Sequence, residues 1–158
     1  MRKAFMTIFT FVLGLIVFSF GCSSCQNHTG SDKQLEEIAD AFAYNYFNWH
    51  FSRALSYCTP ESEPWLSYLA SNVNQADIEN LQNMPQDADI EIGDILYDEN
   101  DSTAKVAIRV NNFLQMDSID TPAHLVKQAD YEIVMVLRNG KWLVRMEGLL
   151  QSENQSHD

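Results

Sequence analysis

Basic residues are scarce in this chain of 158 residues: 10 Lys and Arg stand against 22 Asp and Glu, a net charge of −12. Such a surface repels the phosphates of nucleic acids and anionic lipids, which excludes nucleic acid as a partner. The acids are dispersed rather than run together and read as a solvated surface. Cysteine is rarer still, with 3 copies. Cys22-Ser23-Ser24-Cys25 has the spacing of a redox or zinc pair but no second pair, and it abuts an apolar segment rather than a strand–helix junction. The histidines (His28, His50, His124 and His157) have no metal-ligand spacing. There is no Asp-x-Asp-x-Asp-Gly calcium loop, phosphate loop, serine nucleophile elbow or zincin motif, and no internal repeat. No metal or cofactor is expected.

The chain begins with a basic pair, Arg2 and Lys3, followed by residues 4–20 without a charge and rich in Phe, Leu, Ile and Val. A spanning helix needs about 20 apolar residues. This run is shorter and ends in small residues, so residues 1–21 read as a signal peptide. Ser19-Phe20-Gly21-Cys22 resembles the lipobox of bacterial lipoproteins, with Ser19 in place of the usual Leu. In that family a thiol at the membrane face is alkylated with diacylglycerol, and the chain is cut on the N-terminal side of the modified cysteine. The resemblance implies lipidation at Cys22, which follows the small Gly21, with Cys25 as the alternative register. Two or three acyl chains, palmitate among them, hold a protein durably at a bilayer. Ser23 after the modified cysteine, by the same resemblance, implies the outer membrane, and a tether without acidic residues implies a periplasm-facing domain. Residues 22–31 are polar and form the flexible tether. Loss of Arg2 and Lys3 leaves 8 basic residues against 22 acidic ones, a net charge of −14.

Residues 32–150 are long enough for one domain with a core of its own. Ser31 or Asp32 can cap a helix whose apolar stripe is Leu35, Ile38, Phe42, Tyr46 and Trp49. The stripe slips at Asn48-Trp49-His50, which predicts a kink before a second helical piece to residue 57. A straight rod from 32 to 57 would span about 38 Å. Residues 25–32 reach at most about 24 Å, so Cys58 reads as a buried free thiol rather than the partner of Cys25. Thr59-Pro60 opens a further helix, with Trp65, Leu66, Leu69 and Val73 as its apolar face. A short helix follows around Ile78 and Leu81.

The period then changes from 3.6 to 2. Ile90 and Ile92 alternate, Gly93-Asp94 shifts the phase, and Ile95 and Tyr97 continue, as in a bulged strand. Further strands are expected at 104–110, 131–137 and 142–146, with a loop at 117–123 and a tight turn at Asn139-Gly140. Residues 151–158 read as a disordered tail. Helices first and antiparallel strands after them make an α+β fold, with helices packed on a curved antiparallel sheet of about four strands.

This order of parts, with Tyr57-Cys58-Thr59-Pro60-Glu61-Ser62 and Gly140-Lys141-Trp142-Leu143-Val144-Arg145-Met146, resembles small bacterial lipoproteins of the nuclear-transport-factor-two-like (cystatin-like) superfamily, many of unknown function. The resemblance covers about residues 32–150. It implies a cone-shaped fold with a pocket that serves isomerases, dehydratases, cyclases and plain binding proteins alike, so fold does not set function.

Candidate residues follow from chemistry. His50 is the histidine of the structured region placed to act as a base, and Asp94 lies beside the bulge; neither has an evident partner. Tyr44, Tyr46 and Trp49 on the first helix, and Tyr131, are candidates to line a pocket. Ser102 and Ser118, in Asp-Ser-Thr and Asp-Ser-Ile, resemble acceptors of periplasmic O-glycosylation. Arg109, Arg145 and Glu147 are expected in cross-strand ion pairs. Val134 and Val136 would make the sheet apolar on both faces, as a homodimer through the exposed face requires. The functional expectation is a membrane-anchored periplasmic module that binds a small apolar ligand or an envelope protein. The alternative is a small pocket enzyme, an isomerase or hydro-lyase on an apolar carbonyl substrate.

Overall fold

The computed structural model of the chain describes residues 29–116 and 121–153. Cys22, Cys25, the tether up to residue 28, Ser118 and the last five residues lie outside them. Helix α1 (Thr29–Phe47) opens the fold, slightly ahead of its expected start. Its buried side is Leu35, Ala39, Phe42, Ala43 and Tyr46, a stripe at helical spacing that packs across all four strands of the sheet. Each large side chain buried in this way contributes about 1.5–3 kcal/mol.

The helix stops where the periodicity slips. Trp49 has φ 60°, and the His50 N–H donates to the Asn45 carbonyl at 2.8 Å. The chain then makes α2 (Phe51–Ala54), a 3₁₀ turn (Leu55–Tyr57), an extended Cys58-Thr59, a second 3₁₀ turn (Pro60–Ser62), α3 (Glu63–Asn72) and α4 (Gln75–Gln82). Strands β1 (Asp89–Tyr97), β2 (Thr103–Gln115), β3 (His124–Arg138) and β4 (Lys141–Val144) form one antiparallel sheet in sequence order. The α+β class expected from the change of period is what the fold displays.

The sheet carries the anticipated irregularities. The β1–β2 register shifts between Ile92 and Ile95, so Gly93 and Asp94 face Ala107 alone. A Cβ on Gly93 would come within 3.2 Å of the Ala107 carbonyl oxygen, which explains the glycine at the bulge. Asn139 and Gly140, at φ 52° and 75°, form the left-handed pair of a two-residue hairpin.

At one end of the fold hydroxyls and main-chain groups bond one another. The Tyr97 hydroxyl bonds the Asp32 carboxylate, and the Tyr97 ring packs on Trp142 at 5.9 Å. The Thr59 N–H donates to the Val144 carbonyl at 2.8 Å. The buried Ser62 hydroxyl accepts the Met146 N–H at 3.0 Å and donates to the Val144 carbonyl at 3.4 Å. The two stretches on which the family resemblance rests are therefore bonded to each other. Cys58 is free and buried, its thiol donating to the Ala54 carbonyl at 3.3 Å.

The burial of Trp65, the end of the domain at residue 150, the apolar outer face and the Arg145 pairing need correction. Trp65 is 36% exposed, because Leu66 and Leu69 already form the inward stripe of α3 and the adjacent position is rotated about 100° from it. The short helix expected around Ile78 and Leu81 is α4; on it Ile78 is exposed and Asp77 is 1% exposed, the Asp77 carboxylate accepting the Asn74 N–H at 3.0 Å and the Ala123 N–H at 2.8 Å, which caps α4 and holds the chain before β3. The packed region runs past residue 150, since Ser152 bridges Tyr131 and is buried. The outer sheet face is not apolar throughout. Lys105–Glu132 at 2.7 Å and Arg109–Asp130 at 2.8 Å lie across β2 and β3, so Val134 and Val136 form only part of it. Arg145 pairs with Glu147 of its own segment, at 3.3 Å, rather than across strands.

Candidate functional site

At the other end the hairpin β2–β3 runs beyond β4: Phe113 pairs with Val126 and Gln115 with His124, while β4 reaches only Met135. Here the C-terminal end of α1, α2, α3 and residues 149–151 enclose a cavity of about 270 Å³. Its wall is aromatic. Phe47 meets Phe113 edge-on at 5.1 Å and Tyr131 at 4.9 Å. Tyr46 packs on Phe47 at 5.0 Å, and Trp49 stacks near Phe51 at 6.5 Å. The Trp49 indole N–H donates to the Leu114 carbonyl at 3.3 Å, which fixes the ring despite its place at the helix break.

Two phenols bring polarity to this wall. Burial pushes the Tyr46 hydroxyl far above its ordinary value, against the pull of a hydrogen bond from the Leu150 main chain, with Tyr131 nearby adding to the rise. Burial also pushes the Tyr131 hydroxyl up to about 12. Tyr131 is only 4% exposed, and its hydroxyl makes no hydrogen bond to a described residue. No Lys, Arg, Asp, Glu or His is among the described residues lining this cavity. The arrangement can hold a flat apolar molecule and donate a proton-bearing oxygen to an acceptor on it; the lining supplies no general base.

Of the residues singled out in the sequence, Tyr46, Trp49 and Tyr131 come together here. Tyr44 does not. It lies two positions before Tyr46, about 200° round the helix, is 38% exposed, and its hydroxyl donates to Asp87 at 2.5 Å. Asp94 is exposed on the bulge and lines neither cavity. Ser102 is exposed in the β1–β2 turn, where Asp98 accepts its N–H at 2.9 Å. Sequence reasoning missed Phe51, Leu69, Phe113, Met116 and Leu150. The interruption of strand alternation at Asn111-Asn112, just before Phe113, was the available signal.

His50 lines a second cavity of about 250 Å³, backed by Phe47, Phe113 and Leu114, which also line the first. Residues 84–88 form its other side. They are pinned by Asn48, whose side chain accepts the Ala88 N–H at 2.8 Å and donates to the Tyr44 carbonyl at 2.9 Å. Among the described residues there is no cluster of His, Cys, Asp or Glu suited to a metal ion, and no helix long and apolar enough to cross a membrane.

No protein-family model matches the sequence, and no curated protein matches it significantly. Solved structures do resemble the fold. A protein from Catenulispora acidiphila superposes with a TM-score of 0.50 at 11% identity, covering 81% of this chain and 95% of that one. A protein of unknown function from Mycobacterium tuberculosis gives 0.49 at 11% identity, covering 84% and 78%. An NTF2-like protein of unknown function from Shewanella oneidensis gives 0.48 at 9% identity, covering 72% and 93%. The likeness is one of fold.

Proposed function

We propose that this chain is an NTF2-like lipoprotein whose domain binds a small, uncharged, apolar molecule in the aromatic cavity. The observation that carries the reading is Tyr131, a buried residue that lines the aromatic cavity and whose hydroxyl bonds no described residue, with no charged group among the described lining. A ligand oxygen would accept from that hydroxyl in a site screened from water, where one hydrogen bond contributes about 0.5–1.5 kcal/mol. A carboxylate ligand would meet no cation in the lining, so the favoured ligand carries a carbonyl, ether or hydroxyl oxygen on a flat apolar frame.

Support for the anchor comes from the sequence alone: the apolar run, Gly21-Cys22 and the polar residues after it. On this reading Cys22 bears the lipid and the domain faces the periplasm from the outer membrane. Mass analysis of the protein extracted from native membranes should find a chain starting at an acylated Cys22. A chain starting at Met1, or acyl mass that survives Cys22→Ser, sinks that assignment.

Binding is tested with the neutral dye N-phenyl-1-naphthylamine and two competitors, 2-acetylnaphthalene and 2-ethylnaphthalene. Both should displace the dye. Tyr131→Phe should weaken the ketone alone, by about 3- to 10-fold for one lost hydrogen bond. Failure of the dye to bind, or equal effects of the substitution on both competitors, overturns the reading.

A further inference from the structure

The second cavity is chemically unlike the first. Its base is apolar, with Leu81, Met84 and Phe113, while Asp87, His50 and Asn112 bring polar groups to it. Asp87 is its one carboxylate, and no Lys or Arg lines it. The Tyr44 hydroxyl holds one Asp87 oxygen at 2.5 Å; the other oxygen bonds no described residue. That hydrogen bond is the main reason the Tyr44 hydroxyl is pushed up, with Arg53 the cation whose field opposes the rise. Next to the cavity the field is acidic: Asp89 follows Ala88 of the lining, and it adds to the burial that raises the Asp40 carboxyl one turn before Tyr44.

The backbone here is shaped at a cost. Asn112 has φ 54° in the middle of β2, yet the pairing register on either side of it is unbroken. A non-glycine residue in that region costs about 1–3 kcal/mol, and such outliers cluster at ligand sites. The Asn112 side chain makes no hydrogen bond to a described residue, and neither does the His50 ring, which packs on Tyr44 at 6.4 Å.

We propose that this second cavity is a separate binding site for a small organic ammonium compound. The free Asp87 oxygen accepts a charge-assisted hydrogen bond from the ammonium group, and the Asn112 carboxamide oxygen supplies another acceptor. The aliphatic stem packs on Leu81, Met84 and Phe113. A carboxylate is repelled by Asp87, and an alcohol of the same length forgoes the charge-assisted bond. The site goes beyond the aromatic-cavity reading and does not depend on it.

The test uses the full chain and three matched probes, n-butylamine, n-butanol and butyrate, followed by calorimetry. Only the amine should bind, and Asp87→Asn should weaken it about tenfold or more while leaving N-phenyl-1-naphthylamine binding unchanged. Tyr44→Phe, which keeps the carboxylate but frees its orientation, should give a smaller loss and serves as the second variant if Asp87→Asn does not fold. The proposal is overturned if butanol binds as tightly as the amine, if both substitutions leave amine affinity unchanged, or if the amine displaces the dye. Loss of dye binding with amine binding intact would remove the aromatic-cavity reading and leave this one standing.

Discussion

The two ends of the sheet solve opposite problems with similar residues. At the Trp142 end, hydroxyls are spoken for: the buried Ser62 bonds Val144 and Met146, and the half-buried Tyr97 bonds Asp32. At the Phe113 end, Tyr131 is buried as a residue, lines the cavity, and its hydroxyl bonds no described residue. Both ends are aromatic, so apolar area does not separate them. Satisfied polar groups rigidify a core, whereas a polar group left open toward a cavity is available to a ligand. The first end therefore stabilises the fold and the second is free to bind.

Substitutions can break this contrast. The largest effect is expected from Trp142→Ala, which empties a fully buried site and should cost about 3–5 kcal/mol in denaturant unfolding. A cost near zero would mean that this end is not the fold's anchor. Next comes Ser62→Ala, which strands the Met146 N–H and should cost about 1–3 kcal/mol; dye binding by the folded fraction should not change. Gly140→Ala places a side chain at φ 75° and should cost about 1 kcal/mol, read as a lower Tm with no change in binding.

The pH response sharpens the contrast. Burial raises the Cys58 thiol from 9.0 to about 12 and the Tyr131 hydroxyl from 10.0 to about 12. Each group is kept neutral by the fold, so its contribution is complete below its unfolded value and is lost as pH rises toward 12. Unfolding should become easier between pH 9 and 12. Tyr131→Phe should reduce the part of that loss above pH 10, which Cys58, Tyr46 and Tyr97 share, and at neutral pH should change stability least of all the substitutions, while selectively weakening ketone binding. An unaltered alkaline limb in this variant would show that Tyr131 is not held neutral by burial.

The outline of the fold was legible because hydrophobic period speaks directly. The slip at Asn48-Trp49-His50 is the helix break, Gly93-Asp94 is the bulge, and Asn139-Gly140 is the hairpin turn. What stayed hidden were contacts between distant residues. Asp77 looked like a surface acid until Ala123, far along the chain, donated to it. Tyr44 looked equivalent to Tyr46 because composition counts aromatics without regard to direction. Asp87 drew no notice, since a carboxylate in a polar stretch is ordinary until Tyr44 and His50 are brought beside the loop that carries it. The strands were judged too short because Asn111, Asn112 and Gln128 interrupt the alternation where the hairpin leaves the core and becomes the cavity wall.

One further consequence lies in the direction of α1. Its first turn meets Tyr97, beside Trp142, and its last turn carries Tyr46 and Phe47 into the aromatic cavity. The fourteen residue steps of helix from Asp32 to Tyr46 put about 21 Å between those points. Whatever precedes Thr29 thus joins the domain at the pole away from the aromatic cavity, like a stem opposite the opening of a flower.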